Sequence, residues 1–266
     1  MNRIDAKFRS LRQKKEGAFI PYICGADPNL EVTRQLILAL DQAGTDIIEL
    51  GVPFSDPIAD GPTIQKASER ALKSRVTLNQ LLDLVAELRR TTEIPIVLMG
   101  YYNPIFFMGT EPFFIKAKSV GVDGVIIPDL PIEESTQVLE MAQSHDVKVI
   151  FLVAPTSTPE RMKKIAEAST GFIYCVSVTG VTGARQHVSN EIVPMVTELR
   201  KHTEKPVCVG FGISNPGQAE SVAKVADGVV IGSAIIDRIE ENLGDETAIV
   251  RSVAQFATDL IQGIRG

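Results

Sequence analysis

Two carboxylates, Glu49 and Asp60, are the groups in this sequence that are best placed to move protons. Glu49 interrupts the end of a short apolar run, Asp46 to Leu50, that is typical of a strand buried on both faces. A carboxylate there costs free energy unless it is solvated, hydrogen-bonded or used in chemistry. Asp60 lies in the glycine- and proline-rich segment 51–62, which predicts a constrained loop. Acid–base catalysis is one interpretation, and a structural cap plus turn-forming aspartates is the other.

Two glycine-rich segments could bind a phosphate group. GFGIS at 210–214 and GSA at 232–234 each follow an apolar run and precede a helical pattern. Glycines let backbone N–H groups approach an anion, and a helix N-terminus adds partial positive charge. The first segment lacks the third glycine of a dinucleotide fingerprint. The alternative is that these glycines only turn tight corners.

Lysine and histidine chemistry finds little support in the sequence. A Schiff-base lysine should lie at the C-terminal end of a strand, but Lys148 begins its predicted strand. His145 and His202 end helical segments, and His187 is isolated, so all three are expected on the solvated surface.

Aromatic side chains accompany the carboxylates, which fits acid–base chemistry on a phosphorylated molecule with a flat apolar part. They are Tyr22, Tyr101, Tyr174 and Phe211. We expect no metal or organic cofactor in this chain. A Mg²⁺ ion held by Glu49, Asp56 and Asp60 is the alternative.

Eight β-rich runs recur along the chain, and helical patterns separate them. Their apolar residues are contiguous, as in parallel strands covered on both sides. The runs are Ala18 to Cys24, Asp46 to Leu50, Pro95 to Met99, Gly124 to Ile127, Val147 to Val153, Phe172 to Val176, Pro206 to Gly210 and Gly228 to Ile231. The pattern predicts one α/β domain over residues 1–266, a (β/α)8 barrel of the TIM type. An open doubly wound sheet is the rival, because periodicity does not distinguish a closed sheet from an open one.

The helical segments carry apolar residues at helical spacing, and several begin at proline or after Asp, Asn or Thr. They are Leu30 to Ala43, Leu78 to Arg90, Pro112 to Ser119, Ile132 to His145, Pro159 to Ala168, Ile192 to His202 and Pro216 to Val225. Ile4, Phe8 and Leu11 predict an additional short N-terminal helix lying under the domain. The long gap after the second strand leaves room for a loop and one extra helical turn.

The composition of the chain limits which partners and which cellular compartment are expected. The 266 residues carry a formal net charge of -6, which argues against a nucleic-acid partner. No apolar run approaches the roughly 20 residues needed to span a bilayer. Cys24, Cys175 and Cys208 lie in or beside apolar strand-like runs without CxxC spacing, so we expect buried thiols and a cytoplasmic location.

In a barrel, the residues after the strands' C-terminal ends form the site. They include Asp27 after the first strand, Tyr101 to Asn103 after the third, Pro128 and Asp129 after the fourth, and the lid-like segment SVTGVTGAR at 177–185 after the sixth.

Several of these segments together resemble the tryptophan synthase alpha chain family. The matching motifs are PYICGADP, ELGVPFSDPIADGPTIQ, GYYNPI, GVIIPDLP, VTGVTGAR, VGFGIS and VIGSAI, and they are collinear over nearly the whole chain. The resemblance implies a (β/α)8 barrel that cleaves indole-3-glycerol phosphate to indole and glyceraldehyde 3-phosphate. It also implies an alpha2beta2 heterotetramer, in which indole passes to a beta chain that carries pyridoxal phosphate.

The resemblance assigns roles to individual residues. Glu49 matches the general acid/base, and Asp60 matches the carboxylate that meets the indole N–H. Tyr22 stands where the family often has Phe. The substrate-binding residues expected from the strand ends and the resemblance are Tyr22, Met99, Tyr101, Ile126, Pro128, Tyr174, Thr182, Gly183, Phe211, Gly212, Gly232 and Ser233, with Thr182 and Gly183 in the mobile lid.

Other functions remain open at this level. The chain could act mainly as an activator of its beta partner, with a docking face formed by Pro53, Asp56, Asn103 and Asp129 near the barrel mouth. It could also be a stand-alone lyase that releases indole. A phosphate-binding barrel of another kind, such as a sugar-phosphate isomerase, is a further alternative.

Overall fold

Parallel strands form the centre of the computed structural model, which describes residues 1–176, 188–210 and 212–266. Within those ranges nine strands are present: β1 (Ala18–Cys24), β2 (Ile48–Gly51), β3 (Ile96–Met99), β4 (Gly124–Ile126), β5 (Lys148–Ile150), β6 (Leu152–Val153), β7 (Ile173–Val176), β8 (Val207–Gly210) and β9 (Gly228–Ile231). Every strand pair is parallel, and β1, β2, β4 and β9 are buried along their whole length.

The sheet closes on itself through the predicted fifth strand. The strand order is β5-β4-β3-β2-β1-β9-β8-β7-β6, and only Phe151 separates β5 from β6. β5 pairs with β4, β6 pairs with β7, and the Phe151 carbonyl accepts a hydrogen bond of 3.2 Å from the Tyr174 N–H. One continuous segment therefore joins both ends of the sheet. The predicted (β/α)8 barrel is confirmed, with its fifth strand interrupted where it changes neighbour, and the open-sheet alternative is wrong.

Helices cover the outside of the barrel in the described part of the chain. They are α1 (Arg3–Lys14), α2 (Leu30–Gln42), α3 (Pro62–Leu72), α4 (Leu78–Leu88), α5 (Tyr102–Met108), α6 (Thr110–Val120), α7 (Thr136–Ser144), α8 (Pro159–Ala168), α9 (Val188–Arg200), α10 (Pro216–Ala223), α11 (Ser233–Glu241) and α12 (Glu246–Arg265). A 3-10 turn at Ile132–Glu134 precedes α7, where the sequence predicted one continuous helix.

Local signals explain why the predicted helices begin where they do. The side chains of Asn29, Thr158 and Asn215 cap α2, α8 and α10, each accepting a hydrogen bond from a backbone N–H of the first turn. Proline occupies the first turn of α8 and α10, where its missing N–H costs nothing.

Four helices were not predicted in their observed form. The expected extra turn after β2 is the 11-residue α3, whose buried residues are only Ala67, Ser68 and Ala71. Such small residues give little apolar periodicity, so the sequence signal is weak. Tyr102 and Asn103, expected in a loop, begin α5. The helices α11 and α12 follow the last strand and pack on one another and on α3 and α10.

The N-terminal helix closes the barrel floor. Ile4, Phe8 and Leu11 of α1 are buried in one cluster with inward-facing strand residues, and the Phe8 and Phe172 rings lie 5.8 Å apart. Lys148 lies at the N-terminal end of β5, where its Nζ is 2.7 Å from Asp5 of α1. The predicted helix under the domain is therefore confirmed, and it leaves the opposite end of the barrel open.

The three cysteines are buried and unpaired, as predicted. Burial raises the pKa of the Cys24 and Cys175 thiols to about 12, so both are protonated at neutral pH. Each helix in the described ranges is too short or too polar to cross a bilayer.

Candidate active site

A cavity of about 350 Å³ opens at the C-terminal ends of the strands. One set of lining residues consists of carboxylates and larger side chains, namely Tyr22, Glu49, Asp60, Ile64, Met99 and Tyr174. A second set consists of glycines and hydroxyl-bearing residues, including Gly210, Gly212, Ser214, Gly232 and Ser233. We call the first set the carboxylate end and the second the glycine-rich end; the two meet where Gly232 lies against Tyr22 and Ile64.

Glu49 lies on β2 between Tyr22 of β1 and Val97 of β3 in the strand register. Glu49 is only 2% exposed, and its Oε2 atom has no hydrogen-bond partner among the described residues. Burial, assisted by the negative charge of Asp60, raises the pKa of Glu49 to about 8. At pH 7 this side chain is therefore mostly a neutral carboxylic acid, which can donate a proton into the cavity.

Asp60 lies in the loop between β2 and α3, and Tyr101 holds that loop in place. The Tyr101 hydroxyl accepts a hydrogen bond of 2.8 Å from the Ala59 N–H, and its ring stacks on Phe54 at 5.1 Å. Burial raises the pKa of Asp60 to about 6, although a hydrogen bond from Tyr101 opposes the rise. Asp60 is consequently mostly ionised at pH 7.

The two carboxylates thus hold different protonation states in one cavity. Glu49, completely enclosed, keeps its proton to about pH 8, whereas Asp60 releases its proton near pH 6. Neighbouring carboxylates whose pKa values are separated in this way can act as an acid and an anion at the same pH.

Two tyrosines of the cavity lie against glycines at neighbouring strand ends. A methyl group at Gly51 would lie 2.2 Å from the Tyr22 hydroxyl oxygen, and one at Gly210 would lie 2.7 Å from that of Tyr174. Both distances are shorter than van der Waals contact. The absence of a side chain at these glycines therefore makes room for the two rings, and the Tyr22 hydroxyl lies over Gly51.

The glycine-rich end contains the N-terminus of α11 and the loop that leads to α10. Gly232 precedes α11 without a side-chain cap, and Ser233 is the first residue of that helix. Gly212 has φ +61°, a left-handed conformation that glycine adopts without strain, and it leads into α10. The uncapped N–H groups and the dipole of α11 favour an anion here, so this end can receive a phosphate group.

The structure gathers most of the predicted site residues that it describes. Tyr22, Glu49, Asp60, Met99, Tyr174, Gly212, Gly232 and Ser233 line the cavity. Thr182, Gly183 and Phe211 lie outside the described residues.

Three predicted substrate-binding residues do not line this cavity. Tyr101 lies behind the loop that carries Asp60. Ile126 is 1% exposed and packs in the barrel interior among Met99 and Tyr174. Pro128 lines a separate pocket with Arg161 on the outside of the barrel. A position at a strand end therefore did not suffice to place these side chains in the cavity.

Sequence reasoning missed other lining residues. Ile64 and Ser214 belong to segments that had been singled out, but neither was assigned a contact. Asp237, one helical turn after Ser233, also lines the cavity and carried no motif signal.

Asp56, the third proposed Mg²⁺ ligand, is exposed and accepts a hydrogen bond from Ser55. In the described part of the chain no group of three His, Cys, Asp or Glu residues is arranged to hold a metal ion.

Comparison with known proteins gives the family. The family model "Tryptophan synthase alpha chain" matches residues 8–265. The tryptophan synthase alpha chain of Geotalea uraniireducens is 53% identical over 246 residues, covering 92% of this chain and 92% of that protein. The alpha chain of a Picosynechococcus species is 48% identical over 265 residues, covering 99% and 100%.

Solved structures agree with the sequence relatives. The tryptophan synthase subunit alpha of Legionella pneumophila superposes with a TM-score of 0.92 at 37% identity, covering 99% of this chain and 98% of that chain. A chain of the tryptophan synthase complex from Pyrococcus furiosus gives a TM-score of 0.86 at 38% identity, covering 93% and 98%. Together with the barrel and its paired carboxylates, these matches show that the chain belongs to the tryptophan synthase alpha chain family.

Proposed function

We propose that this protein is the alpha subunit of tryptophan synthase and cleaves indole-3-glycerol phosphate by a retro-aldol reaction, giving indole and glyceraldehyde 3-phosphate. The observation that carries the mechanism is the pairing of protonated Glu49 with ionised Asp60 in one cavity. Family membership supports the same reaction.

The shape of the cavity supports one orientation of the substrate. The indole ring occupies the carboxylate end, between Tyr22, Met99 and Tyr174. The phosphate occupies the glycine-rich end, where Gly232 and Ser233 begin α11. The family resemblance alone assigns Thr182 and Gly183 to the lid. It also assigns Gly183 and Phe211 to the phosphate site.

Glu49 supplies the proton that the C–C cleavage requires. Its neutral carboxyl group protonates C3 of the indole and gives an indoleninium cation. Asp60, already negative, accepts the hydrogen bond of the ring N–H and stabilises that cation. Without Asp60 the positive charge would develop in a buried, weakly polar site, which is costly.

The same Glu49 then completes the reaction as a base. Its carboxylate removes the proton of the glycerol hydroxyl group as the C–C bond breaks, so the bonding electrons return to the indole ring and a carbonyl group forms. Glu49 ends in its starting protonation state, and one proton has moved from the hydroxyl group to C3. No electron acceptor or Lewis acid enters this scheme, so we propose a reaction without a cofactor in this chain.

We further propose that the mouth of the barrel binds a tryptophan synthase beta chain, in which indole reacts with the aid of pyridoxal phosphate in an alpha2beta2 assembly. Two adjacent segments expose large apolar side chains there. Ile58, in the loop that carries Asp60, is 86% exposed, and Phe106 and Phe107 of α5 are 68% and 93% exposed. Monomer surfaces rarely leave such side chains together in water.

Three of the four residues of the expected docking face are exposed. Asp56 and Asn103 are exposed, whereas Pro53 is buried and offers little contact area. Asp129 is exposed, and its carboxylate accepts a hydrogen bond of 2.9 Å from the N–H of Tyr102, which starts α5. We also propose that the protein functions in the cytoplasm and that the whole barrel forms one domain.

Indole release from indole-3-glycerol phosphate tests the function and separates its alternatives. The isolated chain is assayed first, and purified beta chain is then added without serine, so that indole accumulates. A slow reaction that accelerates on addition supports the alpha subunit. A fast reaction that beta chain leaves unchanged supports a stand-alone lyase. Absence of indole in both assays contradicts the proposal.

A further inference from the structure

A polar seam joins α3 and α11, whose first turns contribute Ile64 and Ser233 to the cavity lining. The helix α3 starts at Pro62, two residues after Asp60, and α11 starts at Ser233. The seam consists of Thr63, Lys66 and Arg70 of α3, Asp237 and Glu240 of α11, and Asp27, which follows β1. Spacings of three and four residues place the members of each helix on one face, so the two faces meet along their length.

The centre of the seam is a buried ion pair. Arg70 donates two parallel hydrogen bonds to the Asp27 carboxylate, from Nε to Oδ1 at 2.8 Å and from Nη2 to Oδ2 at 2.9 Å. The Asp27 side chain is 0% exposed and that of Arg70 is 14% exposed. Such a two-point contact fixes the direction of the guanidinium plane, which a lysine would not do.

Arg70 reaches α11 from this fixed position. Its Nη1 lies 3.5 Å from Oε2 of Glu240, and Lys66 approaches the other oxygen of Glu240 at 3.7 Å. Nearer the cavity, burial raises the pKa of Asp237, and the Thr63 side chain opposes that rise. Two side chains of α3, Lys66 and Arg70, therefore hold Glu240 of α11.

We propose that Arg70 is a positioning residue, which sets the separation between the Asp60 carboxylate and the phosphate subsite by holding α3 against α11. The inference rests on the proposed function, because it requires a substrate that spans both ends of the cavity. Asp60 lies two residues before the start of α3 and Gly232 directly precedes α11, so a shift of one helix against the other changes the distance that the substrate must bridge.

A spanning ligand and its two fragments separate this role from general stabilisation. The probes are indole, glycerol 3-phosphate, and an uncleavable analogue that joins an indole ring to a phosphate through a three-carbon chain. Each is titrated by calorimetry against the wild type, Glu240→Gln and Arg70→Lys. The control is Glu220→Gln, which removes a lysine-paired carboxylate from the surface of α10.

We expect both seam variants to bind each fragment as the wild type does and to bind the spanning analogue more weakly. The loss should be roughly two- to fivefold for Glu240→Gln, the scale of a partly exposed ion pair. It should be larger for Arg70→Lys, which loses the paired hydrogen bonds to Asp27. The Glu220→Gln control should match the wild type with all three probes.

Equal weakening of fragments and analogue, or an unchanged affinity for the analogue in Glu240→Gln, would overturn the positioning role. Arg70→Lys leaves Asp27 buried with a poorer partner, so if that variant does not fold, the result for Glu240→Gln decides alone. A wild type that binds neither fragment contradicts the proposed function instead of the role of Arg70.

Discussion

Replacing Glu49 with glutamine should lower activity and raise stability together. The substitution keeps the side-chain volume and removes the acidic proton. The rate of indole formation should fall by at least the ~100-fold typical of general acid–base catalysis, while binding of the spanning analogue persists. Because Glu49 is 2% exposed, the same change removes a carboxyl group that is costly to ionise in the folded protein.

The stability effect follows from the pKa of Glu49, about 8 in the folded protein against 4.5 for an ordinary glutamate. Below pH 4.5 both the folded and unfolded chains hold the proton. Between the two values only the folded chain holds it, so the contribution of this group to stability falls as pH rises, and it levels off above about pH 8. At about 1.4 kcal/mol per pH unit, the loss is on the order of 3 kcal/mol at pH 7 and 5 kcal/mol at pH 9.

Glutamine is neutral in both states and escapes this loss. Relative to the wild type, Glu49→Gln should therefore gain stability progressively between pH 5 and pH 9. Urea unfolding of both proteins at pH 5, 7 and 9 measures the difference, with Glu69→Gln, an exposed substitution on α3, as the control. Parallel stability curves for the wild type and Glu49→Gln would refute the raised pKa, and unchanged turnover would refute the catalytic role.

Three other predictions follow from the cavity. The wild-type kcat/KM should fall below pH about 6 and above pH about 8. In Asp60→Asn the decrease below pH 6 should disappear; if it persists, a group other than Asp60 causes it. Gly212→Val and Ser233→Leu should weaken inhibition by glycerol 3-phosphate by about tenfold without affecting indole binding, whereas unchanged inhibition would indicate that the glycines only turn corners. Gly51→Ala should cost about 1–3 kcal/mol of unfolding free energy, measured in urea, because its methyl group meets Tyr22. Adding Tyr22→Phe to Gly51→Ala should relieve only part of that cost, since the ring carbon Cζ of residue 22 would still lie 2.6 Å from the new methyl group.

Local sequence patterns predicted the strands and most of the helices, and they drew attention to Glu49 as a candidate, but they did not distinguish a closed barrel from an open sheet. Contiguous apolar runs and capping residues placed the strands and most of the helices, because these signals act over a few neighbouring residues. A carboxylate at the end of a buried run identified Glu49 for the same reason. Small buried residues left α3 underestimated, and no local signal marked the interruption at Phe151, where the chain changes its strand partner to close the barrel.

Tertiary structure alone decided how these groups act. The pKa values of Glu49 and Asp60 separate because segments distant in the sequence enclose one side chain more completely than the other. Tyr101 follows a strand as predicted, yet it holds the Asp60 loop from behind, since the direction of a side chain depends on what packs around it. The seam from Asp27 through Arg70 to Glu240 joins residues far apart in the chain, and only the closed barrel brings α3 and α11 into contact. Burial and long-range contact are properties of the packed molecule, so a pattern of neighbouring residues does not contain them.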